Sequence, residues 1–143
     1  MPNPHPLHQA LVLWIIWFAM LVSVFIFQFI LGGGIPSGPD DGQPNTAILV
    51  LSIAVILIAT MIRWFVIPRQ TEADKLLIVM IVGIAFAESA QFFQLFLIGD
   101  AYPRTQLTLF VFSVLGIAQF APVYAGKLRP GYRSNAGNQF QHR

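Results

Sequence analysis

The sequence predicts an all-α protein, a four-helix transmembrane bundle, and two observations carry this prediction. Of its 143 residues, 56% are hydrophobic and only 10% are charged, whereas a soluble domain carries about 25% charged residues. The few charges also stand between long neutral runs, so they cannot form a water-exposed shell around one core. The chain is therefore expected to lie in a lipid bilayer.

Four apolar stretches are long enough to cross the membrane as helices, which takes about 20 residues. Glycine and proline punctuate their ends. The predicted spans cover residues 7–31, 46–67, 76–98 and 107–124. They form a single transmembrane domain at 1–125. A basic tail at 126–143 follows, and its composition predicts disorder.

The first span is expected to be permanent and not a cleaved signal peptide. Such peptides have a basic n-region and an apolar run of only about 7–15 residues. No Lys or Arg precedes the first span, and its apolar run is longer. Between the spans, residues 32–45 are rich in Gly and Pro and predict an irregular loop. The connections at 68–74 and 100–106 are short, which predicts antiparallel neighbours.

The basic residues predict that both ends face the cytoplasm, because Lys and Arg flanks are retained there. With four spans, the side that holds both termini carries these basic residues: Arg63, Arg69, Lys75, Lys127, Arg129, Arg133 and Arg143. The opposite side carries only Arg104, with Asp40, Asp41 and Asp100. A plasma (inner) membrane is the expected location. Arg63, Lys127, Arg129 and Arg133 are predicted to contact lipid headgroups.

Glu88 is the most unusual residue of the spans, because it falls near the middle of the third. At 1.5 Å rise per residue it lies about 18 Å from one end of the predicted span and about 15 Å from the other, too far for a carboxylate to reach the headgroups. No Lys, Arg or His lies at a matching depth. A charge at this depth costs a few kcal/mol, so we expect Glu88 to be mostly protonated at neutral pH.

Other polar and small residues accompany Glu88 in the third span. Ser89, Gln91 and Gln94 continue a polar row, and Ser113 of the fourth span falls near the same depth. Gly83, Ala87 and Ala90 form a strip of small residues that allows close helix packing. Two interpretations stay open. Either these side chains hold helices together through hydrogen bonds, or they form an ion or proton site centred on Glu88.

A faint internal repeat links the first and third spans. The segment Phe27–Gly32 resembles the segment Phe93–Gly99 with a slippage of one residue. Both segments close spans that run in the same direction. A duplicated helical hairpin would explain the likeness, but Phe-rich spans also match each other by chance.

The segment Ile81–Ser89, followed by Phe92 and Phe93, resembles the ion-binding helix of rotary ATP synthase c subunits (proteolipids). The preceding polar stretch Arg69–Glu72 is similar to the loop of that family. The resemblance implies that Glu88 is an ion carrier, with Ser89 and Gln91 as ligands. The second span lacks the family's glycine repeat, and the additional spans do not match its architecture.

Catalysis is not expected from this sequence. It contains no cysteine, and its three histidines, His5, His8 and His142, all lie near the chain ends and not in the interior of a span. It has no phosphate-binding glycine loop and no nucleophile motif. We expect no metal, no cofactor and no nucleic-acid partner. The predicted partners are the lipid bilayer and either other membrane subunits or copies of the same chain. The predicted role is a non-catalytic structural or accessory subunit, and the alternative is a small proton or cation translocator that works through Glu88.

Overall fold

A computed structural model describes residues 6–124, with the side chains of residues 10–72 and 74–124. All the described regular structure is helical, in agreement with the predicted fold class. The predicted tail, with Lys127, Arg129 and Arg133, lies outside the described residues.

The first hairpin of the chain consists of α1 (Pro6–Ile30) and α2 (Thr46–Met61). Asn45 begins α2 by accepting a hydrogen bond from the backbone N–H of Ala47 at 2.9 Å, as an N-cap does. The helical path continues beyond α2 as a π-turn at Ile62–Val66 and a 3-10 turn at Ile67–Arg69. Pro68 has no N–H to donate, so the regular α ladder cannot run through it.

The second hairpin consists of α3 (Ala73–Phe93) and α4 (Pro103–Ala118). A π-turn at Gln94–Ile98 extends α3. The path ends at Gly99, whose φ of 72° is a left-handed conformation that favours glycine. Pro103 stands at the start of α4, where a missing N–H costs nothing.

Three helical segments are long and apolar enough to cross a membrane: Ala10–Ile30, Thr46–Arg69 and Asp74–Ile98. The fourth differs from the predicted span at 107–124, because α4 begins earlier and ends earlier, with 16 residues. Beyond Ala118 the backbone makes short i to i−3 bonds at Phe120 and Ala121. Pro122 explains this early end, since the residue before a proline is disfavoured in the α region.

The bundle has two ends, named here by their connections. The long-loop end carries residues 31–45 and the α3–α4 connection, and the short-turn end carries residues 70–72, between the second and third helical segments. The helix α3 is central, since it packs against α1, α2 and α4, whereas the described part of α1 packs mainly against α3 and α4.

The distribution of polarity is inverted relative to a soluble protein. Large apolar side chains such as Ile30, Trp64 and Phe96 lie exposed along the helices, each with more than half of its surface free. The buried polar side chains are Gln28, Ser52, Glu88, Gln91, Gln94, Gln106 and Ser113. Exposed apolar surface on this scale is typical of helices that lie in hydrocarbon.

The interior also changes character from one end to the other. Towards the short-turn end it is apolar, built from the fully buried side chains of Leu76, Met80, Ile84, Ile117 and Phe120. From the middle of α3 towards the long-loop end, buried amides and a carboxyl take over. The candidate site lies in this second half.

Candidate functional site

The polar row of α3 faces α1. Glu88, Gln91 and Gln94 are spaced three residues apart, so they share one side of the helix. Gln91 and Gln94 are 1% and 0% exposed, and Glu88 is 9% exposed. Each of the three contacts a different residue of α1, in the same order along both helices, so α1 and α3 run parallel.

Glu88 is paired with Ser23 of α1, a residue that the sequence analysis did not single out. The Ser23 hydroxyl oxygen lies 2.9 Å from Oε1 of Glu88. The same oxygen lies 2.7 Å from the carbonyl oxygen of Met20, one turn earlier in α1. The carboxyl is therefore held by an uncharged partner at the α1–α3 contact.

The two glutamines bind α1 through their amide nitrogens. Nε2 of Gln91 donates to the carbonyl oxygen of Val24 at 2.7 Å. Nε2 of Gln94 donates to Oε1 of Gln28 at 3.0 Å, and Nε2 of Gln28 donates to the carbonyl oxygen of Gly34 at 2.8 Å. Because both sets of bonds end on backbone carbonyls, which only accept, the orientation of each amide is fixed.

The same geometry leaves two acceptors without a donor. Oε1 of Gln91 and Oε1 of Gln94 are buried and have no hydrogen-bond partner among the described residues. An unsatisfied polar atom in an apolar interior costs roughly 1–3 kcal/mol. These two atoms are the places where the site can accept a further hydrogen-bond donor.

The other hydroxyls named from the sequence bind backbone. Ser113 of α4 donates to the carbonyl oxygen of Ala87 at 2.8 Å, which joins α4 to α3 beside Glu88. Ser89 donates to Phe86 of its own helix at 2.7 Å. The structure thus brings Ser113 to the same level of α3 as Glu88 and leaves Ser89 outside the α1–α3 contact.

The small residues of α3 lie at tight helix contacts. A Cβ on Gly83 would overlap the ring of Phe120 and lie 3.2 Å from Cγ2 of Ile62. A Cβ on Gly116 of α4 would lie 3.0 Å from the Cβ of Ala87. Ala87 and Ala90 are fully buried. This strip therefore lets α2 and α4 approach α3 closely, while the polar row holds α1.

Arg63 lies in a second polar cluster at the short-turn end. Its Nε donates to the carbonyl oxygen of Gln119, and its guanidinium carbon lies 4.9 Å from the ring centroid of Tyr124. Nε1 of Trp17 donates to the neighbouring carbonyl oxygen of Ile117 at 3.0 Å. Side chains from two other helices thus satisfy carbonyls at the end of α4. The headgroup contact expected for Arg63 stays a prediction.

The long loop is fastened to the beginning of α4 by Asp40. Its Oδ1 accepts from the N–H of Arg104 at 2.7 Å, and its Oδ2 accepts from the Thr105 hydroxyl at 2.7 Å. Desolvation opposes ionisation of Asp40. The hydrogen bonds from Thr105 and from the backbone of Arg104 and Thr105, together with the Arg104 charge, outweigh it and lower the pKa of Asp40.

The residues that the sequence analysis missed are the α1 side of the site, Ser23 and Gln28. A signal for Gln28 was present, since it occupies the position in the faint repeat that Gln94 occupies in the second copy. The structure brings these two glutamines into direct contact. Ser23 carries no comparable signal, because a serine that bonds its own helix is common in apolar spans.

Comparisons of the chain with protein-family models, with curated proteins and with solved structures found no match. Among the described residues, no group of three or more His, Cys, Asp or Glu side chains is placed to hold a metal ion. The interpretation of the site therefore depends on its own geometry.

Proposed function

We propose that this chain is a polytopic integral membrane protein of four spans with both termini in the cytoplasm, which acts as a non-catalytic accessory subunit of a membrane complex or of a homo-oligomer. The observation that carries the proposal is that the buried polar side chains form hydrogen bonds between helices. Glu88, Gln91, Gln94 and Ser113 each bind another helix, as side chains that hold a bundle together do.

The outer surface supports the same proposal. The described helices expose apolar and aromatic side chains over most of their length, whereas polar side chains are concentrated inside and at the ends. A surface of this kind can contact lipid tails or the apolar helices of neighbouring subunits. The plasma (inner) membrane is the proposed location, since the excess of Lys and Arg on one side fits insertion from the cytoplasm.

A second candidate function is proton or cation translocation through Glu88. Two observations favour it. The unpartnered Oε1 atoms belong to Gln91 and Gln94, which follow Glu88 along the same side of α3. Hydrogen bonds also run from Gln94 through Gln28 to Gly34 at the long-loop end. The apolar interior at the other end opposes a complete path within one chain. The resemblance of α3 to rotary ATP synthase c subunits stays a prediction and belongs to this alternative.

The test is the substitution Glu88→Gln, which keeps size and hydrogen bonding but removes the titratable proton. The protein is reconstituted in liposomes for flux measurements with a pH-sensitive dye, and it is isolated from its native membrane to measure assembly. The matched control is Glu72→Gln, because Glu72 is exposed and pairs only with Lys75 in the short connection. The accessory role predicts no proton or cation flux for the unsubstituted protein or for either variant. It also predicts that both variants assemble as the unsubstituted protein does. Proton or cation flux that Glu88→Gln abolishes would establish the alternative.

A further inference from the structure

The Ser23 hydroxyl has fewer hydrogens than its contacts require. Its oxygen lies within hydrogen-bond distance of two acceptor atoms, the Met20 carbonyl oxygen at 2.7 Å and Oε1 of Glu88 at 2.9 Å. A hydroxyl group has one hydrogen and can accept with its lone pairs. If Glu88 were ionised, two acceptors would compete for that one hydrogen.

Protonation of Glu88 resolves the competition. The carboxyl O–H then donates to the Ser23 oxygen, while the Ser23 hydroxyl donates to the Met20 carbonyl. Each of the two distances, 2.7 Å and 2.9 Å, then corresponds to one hydrogen bond with its own hydrogen. Among the described contacts of Glu88, no other hydrogen-bond donor is present to stabilise a carboxylate.

Among the described residues, the one salt bridge joins Lys75 to Glu72, so no cation pairs with Glu88. The described side chains of α1 include no charged group. Apart from Glu88, the charged groups of the other helical elements stand at the ends of the helical segments: Arg63 and Arg69 in the turns after α2, Asp74 and Lys75 at the start of α3, and Arg104 at the start of α4. Arg63 is occupied at the Gln119 carbonyl and the Tyr124 ring.

We infer that Glu88 and Ser23 form a proton-binding site at the α1–α3 contact, and that the bound proton holds α1 against α3. The inference rests on the proposed membrane-spanning bundle. After loss of the proton, the buried carboxylate must share the single Ser23 hydrogen with the Met20 carbonyl. A buried charge without a full partner is strongly unfavourable. The polar half of α1 then separates from α3 so that water reaches the carboxylate. The helices α2 and α4 keep their positions, because small residues of α3 let both approach closely and the Ser113 hydroxyl of α4 binds the Ala87 carbonyl without using Glu88.

The proton itself is measured by infrared spectroscopy of the purified protein in liposomes. We expect a protonated-carboxyl band at neutral pH that is absent from Glu88→Gln. Ser23→Ala removes the hydroxyl partner and shifts the band to higher frequency. Ser89→Ala is the matched control, because the Ser89 hydroxyl binds only Phe86 of its own helix, and it leaves the band in place. Absence of the band at neutral pH, or a band whose frequency is unchanged in Ser23→Ala, would overturn the assignment.

The movement of α1 is measured by distances between spin labels in the same liposomes. The chain has no native cysteine, so labels go only where cysteine is introduced. A pair at Leu31 and Phe96 reports α1 against α3, and a pair at Val50 and Phe96 reports α2 against α3. All three side chains are exposed at the long-loop end.

As the pH is raised until the carboxyl band disappears, we expect the first distance distribution to lengthen and broaden while the second stays constant. In Glu88→Gln both distributions are expected to be independent of pH. A band that persists at strongly alkaline pH, or one that disappears without a change in the α1–α3 distance, would refute the inference. Neither measurement uses flux or assembly, so a failure here is distinguishable from a failure of the proposed function.

Discussion

At the scale of single residues, the buried amides of Gln28 and Gln94 show how a polar pair is stabilised between apolar helices. The amide nitrogen of Gln94 donates to the amide oxygen of Gln28, and the amide nitrogen of Gln28 donates to the carbonyl oxygen of Gly34. The final acceptor is backbone, so the direction of the bonds is fixed. The two positions are not equivalent, because Gln94 already carries an unpartnered Oε1.

This asymmetry predicts different costs for two similar substitutions. Gln28→Leu leaves the amide nitrogen of Gln94 and the Gly34 carbonyl without their partners, and we expect a loss of about 1–3 kcal/mol of stability. Gln94→Leu also removes an unsatisfied acceptor, so its cost is expected to be smaller. Unfolding in detergent measures both, and the double variant is expected to lose less than the sum of the two. Equal and additive losses would contradict the hydrogen bond.

Gly83 gives a second prediction at this scale, because its missing side chain makes room for the Phe120 ring. We expect Gly83→Val to lower stability by about 1–3 kcal/mol through overpacking, measured as a lower thermal midpoint in detergent. Phe120→Leu in the same chain is expected to restore part of the loss. The control is Val82→Leu on the exposed face of the same helix, which is expected to be neutral.

At the scale of elements, the ends of α4 are held by side chains from elsewhere in the chain. Asp40 of the long loop accepts from the first N–H groups of α4. Arg63 and Trp17 donate to the last carbonyls. Negative charge at a helix N-terminus and positive charge at its C-terminus also complement the helix dipole. The helix that is not among the three long apolar segments is thus held at both of its ends by side chains from other parts of the chain.

The Asp40 contact predicts a dependence on acid. Its folded-state pKa is lowered from the ordinary value of 3.8. The stabilising contribution is therefore present above that value and is lost as the pH falls through the lowered one. Asp40→Ala removes both side-chain acceptors and is expected to speed hydrogen exchange at the amides of Arg104 and Thr105 already at neutral pH. Asp41→Ala is the control, since the Asp41 contact with Ala101 uses its backbone N–H. Unchanged exchange in Asp40→Ala would argue against the cap.

For Arg63 we expect Arg63→Gln to speed hydrogen exchange over the last turn of α4, even in uncharged lipid. The guanidinium binds a helix carbonyl and an aromatic ring, so no anionic headgroup is needed for this effect. Arg69→Gln provides the comparison, because Arg69 is exposed in the neighbouring turn. An effect seen only in anionic lipid would instead favour the headgroup contact expected from the sequence.

At the scale of the whole molecule, the sequence was sufficient for the helical class. The three long apolar helical segments lie within a few residues of three predicted spans, and Glu88, Gln91 and Gln94 of the predicted polar row are buried. Composition and apolar length determine those features directly. It was not sufficient for the partners of that row. Whether Glu88 meets α1, α2 or α4 depends on helix packing, and lipid-facing and protein-facing positions look alike when nearly every residue is apolar. The predicted fourth span extends beyond the end of α4 because apolar residues continue past Ala118, whereas Pro122 disfavours the α region just before it.

Orientation in the membrane is the prediction that belongs to this scale. A single cysteine at Ser37, exposed in the long loop, is expected to react with an impermeant maleimide added to intact cells. A cysteine at Thr71, exposed in the short connection, is expected to react only after the membrane is opened. The reverse result would place both termini outside the cytoplasm.

The parallel pairing of α1 with α3 has a consequence for biosynthesis. Gln28 and Gln94 are separated by 66 residues, which a ribosome adds in roughly 3–13 seconds at about 5–20 residues per second. In the proposed membrane-spanning bundle, α1 spends that interval without the helix that its polar groups bind. Its apolar face can contact lipid, and Ser23 can bind the Met20 carbonyl of its own helix, but Oε1 of Gln28 lacks the donor that Gln94 later supplies. An insertase or chaperone that shelters polar groups of nascent spans is thus expected to bind α1 first and to release it once α3 arrives.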